Sequence, residues 1–311
     1  MREREPFRWI PGRGCDPAAL RRLRARFPRP ARPLRDAWFL AGAPAPARID
    51  DGFMSYWEVR DALYDLASNV AQQGATPLAR GWFHFLLAQE IPGAMFGSTL
   101  KPLVEALATG LCVFYPQGAT GEPYAGFLGD CLDTLGRAIM GRDGWSRRGE
   151  INRGVILRRR WDLDAGWDWG QPAGDLSASL LLCLKYLPAA DIGPWLRSVL
   201  DIADPFWRAQ LIVSFVAARP LLDGTVREPA GLRPGHGRPM LCWTDSNLLS
   251  GGPTPFLPDA NRSAALDAVA RYFAEQAFLD WAEGVLSDAE LVADLGDVPW
   301  RFRELFHYVP A

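Results

Sequence analysis

Helix start and stop signals recur along most of this chain, and they constrain its fold more than any other feature. Asp16-Pro17, Thr76-Pro77 and Asp204-Pro205 each place a capping side chain directly before a proline, an arrangement that favours the first turn of a helix. Segments with apolar residues at intervals of three and four follow these dipeptides and end at Gly or Pro. The sequence therefore predicts an all-α fold built from short, sharply bounded helices.

Hydrophobic periodicity places the individual helices. In the clearest one, Val59, Leu63 and Leu66 share one face and acidic residues occupy the opposite face. The helix that follows Asp204-Pro205 is expected to end at Pro220. The predicted helices cover residues 17–27, 54–73, 77–90, 99–115, 122–140, 175–187, 191–202, 206–219 and 262–286, a short segment capped by Ser287, and 299–307.

The segments between the helices predict the domain organisation. Residues 1–50 are rich in Arg and Pro, and we predict an N-terminal arm there that packs along the domain or is partly loose, because its prolines exclude regular structure. Residues 51–311 are predicted to form a single helical domain. It is interrupted by two long irregular loops, 141–174 and 220–260, in which Val155-Ile156-Leu157 is the best strand candidate. Long irregular segments within a domain are often functional.

One of these helices carries a family resemblance. Asp204-Pro205-Phe206-Trp207-Arg208, followed by Leu211, Phe215 and Ala218, resembles the start of the second helix in HEAT-type repeats. The resemblance covers 170–219 well and 54–140 loosely, and no single repeat length fits the whole chain. It implies an irregular array of stacked helical hairpins, an α-superhelix. In that family the Asp caps the helix and the Arg braces neighbouring repeats, so Asp204 and Arg208 are expected to take those roles.

Charge and cysteine content exclude several classes of protein. The net charge is −2, so the molecule as a whole has no field that would attract nucleic acid or an anionic membrane. Two segments are nevertheless basic: residues 2–35 hold eleven Arg against three acids, and residues 137–160 hold eight against two. The five cysteines form no CxxC pair, and there is neither an apolar signal segment nor an uninterrupted membrane-length apolar stretch. We therefore expect a soluble, reduced, cytoplasmic protein of bacterial type that does not bind membranes.

Catalytic and metal-binding motifs are missing from the sequence. None of the three histidines has a second ligand at metal-binding spacing, and His84, within an aromatic run, is expected to be a buried, hydrogen-bonded core residue. Asp50-Asp51 invites comparison with class I terpene synthases, but the later acid of their motif is missing. These residues are more simply helix caps. The sequence thus predicts no catalytic residues, no metal site and no cofactor.

The segment from Trp145 to Trp169 is the strongest candidate for a ligand site. It contains four of the thirteen Trp, six Arg and three Asp. Three interpretations remain open: a calcium loop, an Arg and aromatic surface for nucleotides or single strands, or a Trp-filled core with ion pairs at its rim. If a site exists, we expect it where this segment faces the 234–250 loop. The candidate residues are Arg158, Arg159, Arg160, Trp161, Trp167, Asp168, Trp243 and Asp245.

These observations favour a non-enzymatic function. Stacked helical hairpins expose an extended surface for binding, and no catalytic set competes with that interpretation. We predict an interaction or adaptor protein that binds another protein through its helical surface or long loops. The alternative is a HEAT-like protein that binds or processes nucleic acid through residues 145–170.

Overall fold

The capping dipeptides begin helices as predicted. In the computed structural model, the Asp16 carboxylate accepts hydrogen bonds from the amides of Ala18 and Ala19, and Thr76 Oγ1 accepts one from Ala79 at 3.1 Å. These bonds satisfy amides that the first helical turn leaves without an intrahelical partner. The structure describes residues 5–37, 56–94, 103–118, 120–152, 174–232, 241, 243, 245–252 and 254–295.

Within the described residues, the chain forms eleven α-helices and no strand, so it is an all-α protein. The helices are α1 (Pro17–Arg26), α2 (Tyr56–Gln73), α3 (Pro77–Ala94), α4 (Leu103–Phe114), α5 (Phe127–Thr134), α6 (Gly174–Tyr186), α7 (Ala189–Leu200), α8 (Pro205–Leu222), α9 (Asp259–Phe273), α10 (Gln276–Ser287) and α11 (Ala289–Leu295). None of the helices described is long and apolar enough to cross a lipid bilayer.

The core is centred on α4 and α6, which are buried on nearly all sides. A helix that is apolar around its whole circumference belongs in the interior, and both helices have this composition. The predicted apolar face of α2 packs on α4, α4 packs on α6, and α9 packs on both α6 and α7. The buried residues of these helices form one continuous apolar cluster.

Residues near the N-terminus enter this same core. Phe7, Trp9, Leu23 and Leu34 are all at most 5% exposed. Leu34 begins a 3₁₀ turn, Leu34–Ala37, that packs on α3 within the segment predicted to lack regular structure. The described part of the predicted arm is therefore attached to the helical body by buried side chains.

The predicted helix 122–140 was too long at both ends. It begins only at Phe127, because Gly126 adopts a left-handed conformation with φ of 90°. Glu122 precedes the helix and accepts a hydrogen bond from the Gly126 amide at 3.1 Å. After Thr134 the chain tightens into a 3₁₀ helix that ends at Met140. This segment packs on α6 and α1. The local spacing of apolar residues does not indicate these contacts.

Pro220 does not end its helix, contrary to the sequence prediction. The α-helix α8 continues through Pro220 to Leu222, and the amide of Asp223 still bonds to the carbonyl of Arg219 at 2.9 Å. A proline removes its own amide and crowds the carbonyl four residues before it, and here the helix ends two residues later. The carbonyl of Pro220 accepts a hydrogen bond from the Val226 amide at 2.7 Å.

The single helix predicted over 262–286 is two helices, α9 and α10. Glu275 is extended, with φ of −71° and ψ of 139°, and its carboxylate contacts Arg197 of α7 at 2.5 and 2.7 Å. The break also brings the rings of Phe273 and Phe278 within 4.6 Å of each other. Both contacts join different helices, whereas the spacing of apolar residues continues through Glu275. The spacing alone therefore predicts one helix.

The N-cap of α11 lies one residue later than the sequence predicts. Asp288, not Ser287, accepts hydrogen bonds from the amides of Glu290 and Leu291, at 3.0 and 3.1 Å. Ser287 instead donates to the carbonyl of Glu283 within the preceding helix. A serine and an aspartate are both good caps, and only the backbone path selects between them.

The two long loops contain short ordered pieces. Residues 142–144 form a 3₁₀ turn, and Trp145 pairs with Ile151 in an isolated antiparallel bridge. In the second loop the ammonium of Lys185 donates to the carbonyl of Phe256 at 2.7 Å, which ties the loop to α6. The predictions for Asp50-Asp51, Val155-Ile156-Leu157 and the helix 299–307 lie outside the described residues.

Candidate recognition groove

An open groove of about 560 Å³ lies where three segments of the chain meet. Residues 8–11 form one wall, residues 148–150 form the second, and residues 201–205 between α7 and α8 form the third. Ser198 of α7 completes the lining. Its size is within the range of cavities that hold small ligands or a few residues of a peptide.

Asp204 holds two of these walls together. Its Oδ1 accepts a hydrogen bond from the Trp207 amide at 2.9 Å, which is the N-cap predicted from the sequence. Its Oδ2 accepts a second bond, at 3.0 Å, from the amide of Ile151. One carboxylate thus caps α8 and also fixes the position of the 145–151 turn.

Trp9 joins the remaining wall to the helices. Its backbone amide donates to Ser198 Oγ at 3.0 Å, and its indole Nε1 donates to the carbonyl of Gly136 at 2.7 Å. Its ring lies 5.4 Å from that of Trp195, edge to face, and 6.2 Å from that of Trp207. The side chain is 1% exposed, so the N-terminal segment is held by a fully buried aromatic ring.

Trp145 extends this arrangement beneath the turn. Its ring lies 5.0 Å from that of Trp207, and its Nε1 donates to the carbonyl of Ile139 at 3.0 Å. We call Trp9, Trp145, Trp195 and Trp207 the tryptophan cluster. The rings pack edge to face or tilted, and the cluster borders the groove through Trp9.

The charges at the groove differ in their partners. Asp201 is bonded to Arg197 at 2.8 Å, and Asp204 is occupied by two amides. Arg8 and Arg148 are both exposed, and neither guanidinium has an ion pair within the described part of the chain. Within the described residues the carboxylate of Glu150 accepts a hydroxyl hydrogen bond from Ser146 at 3.2 Å and has no ion pair. Among these residues the groove therefore presents two cations and one anion without an ion pair, beside the apolar side chains of its lining.

Of the candidate site residues predicted from the sequence, two lie in the described part of the chain. Trp243 and Asp245 are 5% and 4% exposed, and neither lines the groove. Trp243 donates from Nε1 to Thr109 Oγ1 at 2.8 Å and packs edge to face on Phe256. The other six candidates lie outside the described residues: Arg158, Arg159, Arg160, Trp161, Trp167 and Asp168.

Asp245 has an ion pair in its buried position. Its Oδ1 lies 3.7 Å from the guanidinium of Arg60 on α2. Burial raises the pKa of Asp245 above its ordinary value, and the positive charge of Arg60 opposes that shift. This contact joins the second long loop to α2, and it places Asp245 in a structural position.

A pair of buried acids, Glu105 and Asp175, was not singled out by sequence reasoning. Asp175 Oδ1 accepts a hydrogen bond from the Glu105 amide at 3.1 Å, so it caps α4 from the start of α6. The Glu105 carboxylate lies against Gly174, where a Cβ atom would overlap it. Burial, and then the charge of Glu105, raise the pKa of Asp175 well above its ordinary value. Asp175 had appeared only as a helix start, since nothing in the sequence places it beside α4.

The residues that form the groove were also missed as a site. The sequence places Arg8, Trp9 and Ile10 in the predicted arm and Asp201 at the end of the predicted helix 191–202. The aromatic and proline content of the Trp9-Ile10-Pro11 run was the one available signal. Within the described residues no group of three or more His, Cys, Asp or Glu is placed to hold a metal ion. Comparison of the chain with protein-family models, curated proteins and solved structures gave no match.

Proposed function

We propose that this protein is a non-enzymatic interaction protein that binds an extended segment of another protein in the groove above the tryptophan cluster. The observation that carries this proposal is the combination of an apolar lining, which includes Ile10, Pro11 and Ile202, with two arginines, Arg8 and Arg148, that lack ion pairs in the described residues. Recognition sites typically combine an apolar centre with a few polar groups at the rim. A peptide segment with an acidic side chain between apolar ones has the complementary chemistry.

A HEAT-like arrangement of helical hairpins would suit this function, and the contacts of Arg208 support it. Its Nε donates to the carbonyl of Ile202 at 3.0 Å, and its guanidinium lies 5.2 Å from the ring centre of Trp281 on α10. The residue therefore braces α8 against the preceding connection and a later helix. This is the role that the HEAT resemblance implies for it.

The described cysteines support the proposal of a reducing, cytoplasmic environment. Cys15, Cys112, Cys131 and Cys183 are free thiols, and the last three are buried. Burial raises the pKa of Cys112 to about 11, so its thiol is protonated and unreactive at neutral pH.

The experiment that tests the groove is selection from a displayed library of short random peptides, followed by anisotropy measurements with one selected peptide. The Arg8→Ala/Arg148→Ala variant is expected to weaken binding of an acidic peptide by at least about tenfold, the loss typical of charge-assisted contacts. Arg142→Ala/Arg271→Ala is the matched control, because both arginines are exposed and neither lines the groove.

Two results would contradict the proposal. One is selection of peptides without acidic residues whose binding is insensitive to Arg8 and Arg148. The other is an equal loss of affinity in the control variant, which would indicate a general charge effect in place of a site.

A further inference from the structure

The outer face of α1 is a second surface with a distinct chemistry. Ala19 and Leu23 are fully buried, and Leu20 and Phe27 pack against the core, so the apolar side of the helix faces inward. The helix lies against α3 and α5. The remaining positions carry Arg21, Arg22, Arg24 and Arg26, and the segment 17–35 holds seven arginines and no acid.

The arginines of this face are held in place by different partners. Arg22 forms an ion pair with Asp130 at 2.6 Å, and Arg24 donates from Nε to the carbonyl of Ala88 at 3.1 Å. The guanidinium of Arg26 lies 5.4 Å from the ring centre of Tyr124. A ring or a carbonyl orients a guanidinium without neutralising its charge.

The surrounding acids do not balance these charges. Asp130 is committed to Arg22, and Asp36 lies within 4.0 Å of both Arg32 and Arg35. Glu90 faces Arg24 but is half-buried, and burial raises its pKa. Arg21 and Arg26 have no carboxylate partner within the described ranges, so the centre of the face remains positive.

We propose that this arginine face binds the phosphate backbone of nucleic acid. From Arg21 to Arg26 the arginines of α1 span about 7.5 Å along the helix axis, which matches about two phosphates along one strand of a duplex. The exposed large apolar side chains of the described residues are Ile10, Trp57 and Leu286, and none belongs to α1. A membrane-surface helix inserts apolar side chains among its cations, and this face has none to insert. α1 carries no Asn or Gln, the side chains that read adenine by paired hydrogen bonds.

This proposal is independent of the groove, since none of these arginines lines it. It is tested with the full chain by fluorescence anisotropy on a labelled DNA duplex and on a labelled oligothymidine strand. Binding should weaken steeply with salt, because phosphate contacts release counterions. Arg21→Glu/Arg26→Glu should lose at least about tenfold in affinity and reduce the salt slope by about two.

A milder variant protects the test against misfolding. Arg21→Gln/Arg26→Gln keeps good helix formers at both positions and should give a smaller loss in the same direction. Arg142→Glu/Arg271→Glu changes charge elsewhere by the same amount and should remain within about twofold of the wild type. Circular dichroism establishes that each variant is folded.

Three outcomes would overturn the inference: no binding to either nucleic acid at low salt, an equal loss in the Arg142→Glu/Arg271→Glu control, or tighter binding to phosphatidylserine vesicles or polyglutamate. The last result would show that the face takes a membrane or an acidic protein.

Discussion

Two aromatic clusters attach the N-terminal residues to the helical body, and they differ in what covers them. The tryptophan cluster lies beneath an open groove whose rim carries Arg8 and Arg148. The second, which we call the histidine cluster, consists of Phe27, His84, Tyr115, Tyr124 and Phe127 and joins α1 to α3, α4 and α5.

The His84 ring and the two tyrosine hydroxyls of the histidine cluster are hydrogen-bonded. His84 Nε2 and the Tyr115 hydroxyl share a hydrogen bond, the Phe27 ring stacks on His84 with centres 4.4 Å apart, and the Tyr124 hydroxyl donates to Asp130 at 2.7 Å. Both clusters are rich in large rings, so aromatic content alone does not distinguish a core from a binding site. At the edge of the histidine cluster the Tyr124 hydroxyl and Arg22 both bind Asp130, whereas the tryptophan cluster borders an open groove with Arg8 and Arg148 at its rim.

The largest expected effect is on the base of the groove. Trp9→Ala should lower the free energy of unfolding by about 3–5 kcal/mol, since it empties a fully buried site and leaves the Gly136 carbonyl with only the weaker donor Cys183 Sγ, at 3.5 Å. Trp57, which is 56% exposed, is the matched control, and Trp57→Ala should cost less than about 1 kcal/mol. Urea denaturation measures both. Equal effects would show that the N-terminal segment is not part of the core.

The histidine cluster should lose stability as the pH falls. Burial lowers the pKa of His84 to about 4, from 6.5, so the folded state binds this proton more weakly than the unfolded state does. The contribution to stability is present above pH 6.5 and is lost as the pH falls through 4. At about 1.4 kcal/mol per pH unit, the loss is about 3 kcal/mol.

His84→Gln should remove this part of the acid dependence, whereas Tyr115→Phe, which keeps the histidine buried, should retain it. The comparison between variants is needed because Asp175 has a raised pKa and acts with the opposite sign. Denaturation curves at pH 7, 5.5 and 4 make the measurement. An unchanged slope in His84→Gln would mean that the imidazole is already solvated.

Loss of the Asp204 carboxylate, which connects two walls of the groove, should have an intermediate effect on stability. Asp204→Ala removes the cap of α8 and the acceptor of the Ile151 amide, and we expect a cost of about 1–2 kcal/mol. Asp204→Asn preserves one of the two oxygen acceptors and should cost less than Asp204→Ala, with the remaining loss at the amide that then faces the Asn NH2 group. The two melting temperatures test this order. If Asn is as damaging as Ala, the second acceptor matters as much as the cap.

These contacts also explain how far sequence reasoning could go. The caps at Asp16, Thr76 and Asp204 were predictable, because each depends on a side chain and amides within three positions. Asp204 to Ile151 spans 53 positions, and Trp9 to Ser198 spans 189, so no local pattern reports either. The groove is made from contacts of this kind.

The segment 145–170 also shows what sequence composition cannot predict. Its tryptophans and arginines were recognisable as unusual, but composition could not separate core from site. Trp145 proved to be core, at 6% exposed, while Arg148 a few residues later lies at the rim. The prediction that Arg158, Arg159 and Arg160 contribute to a ligand site remains a prediction.

The smallest expected effect on stability is at the rim of the groove, and it tests the comparison of the two clusters most directly. Arg8→Ala/Arg148→Ala should change the free energy of unfolding by less than about 0.5 kcal/mol, because both side chains are exposed and form no ion pair in the described residues. Arg22→Ala, at the edge of the histidine cluster, breaks a bidentate pair with the buried Asp130 and should cost more. Parallel urea titrations compare the two directly. Since both changes remove exposed arginines, a larger cost for Arg22→Ala assigns the difference to pairing. A rim double variant as destabilising as Arg22→Ala would instead mean that Arg8 and Arg148 maintain the fold, and that the groove has no cations available for a partner.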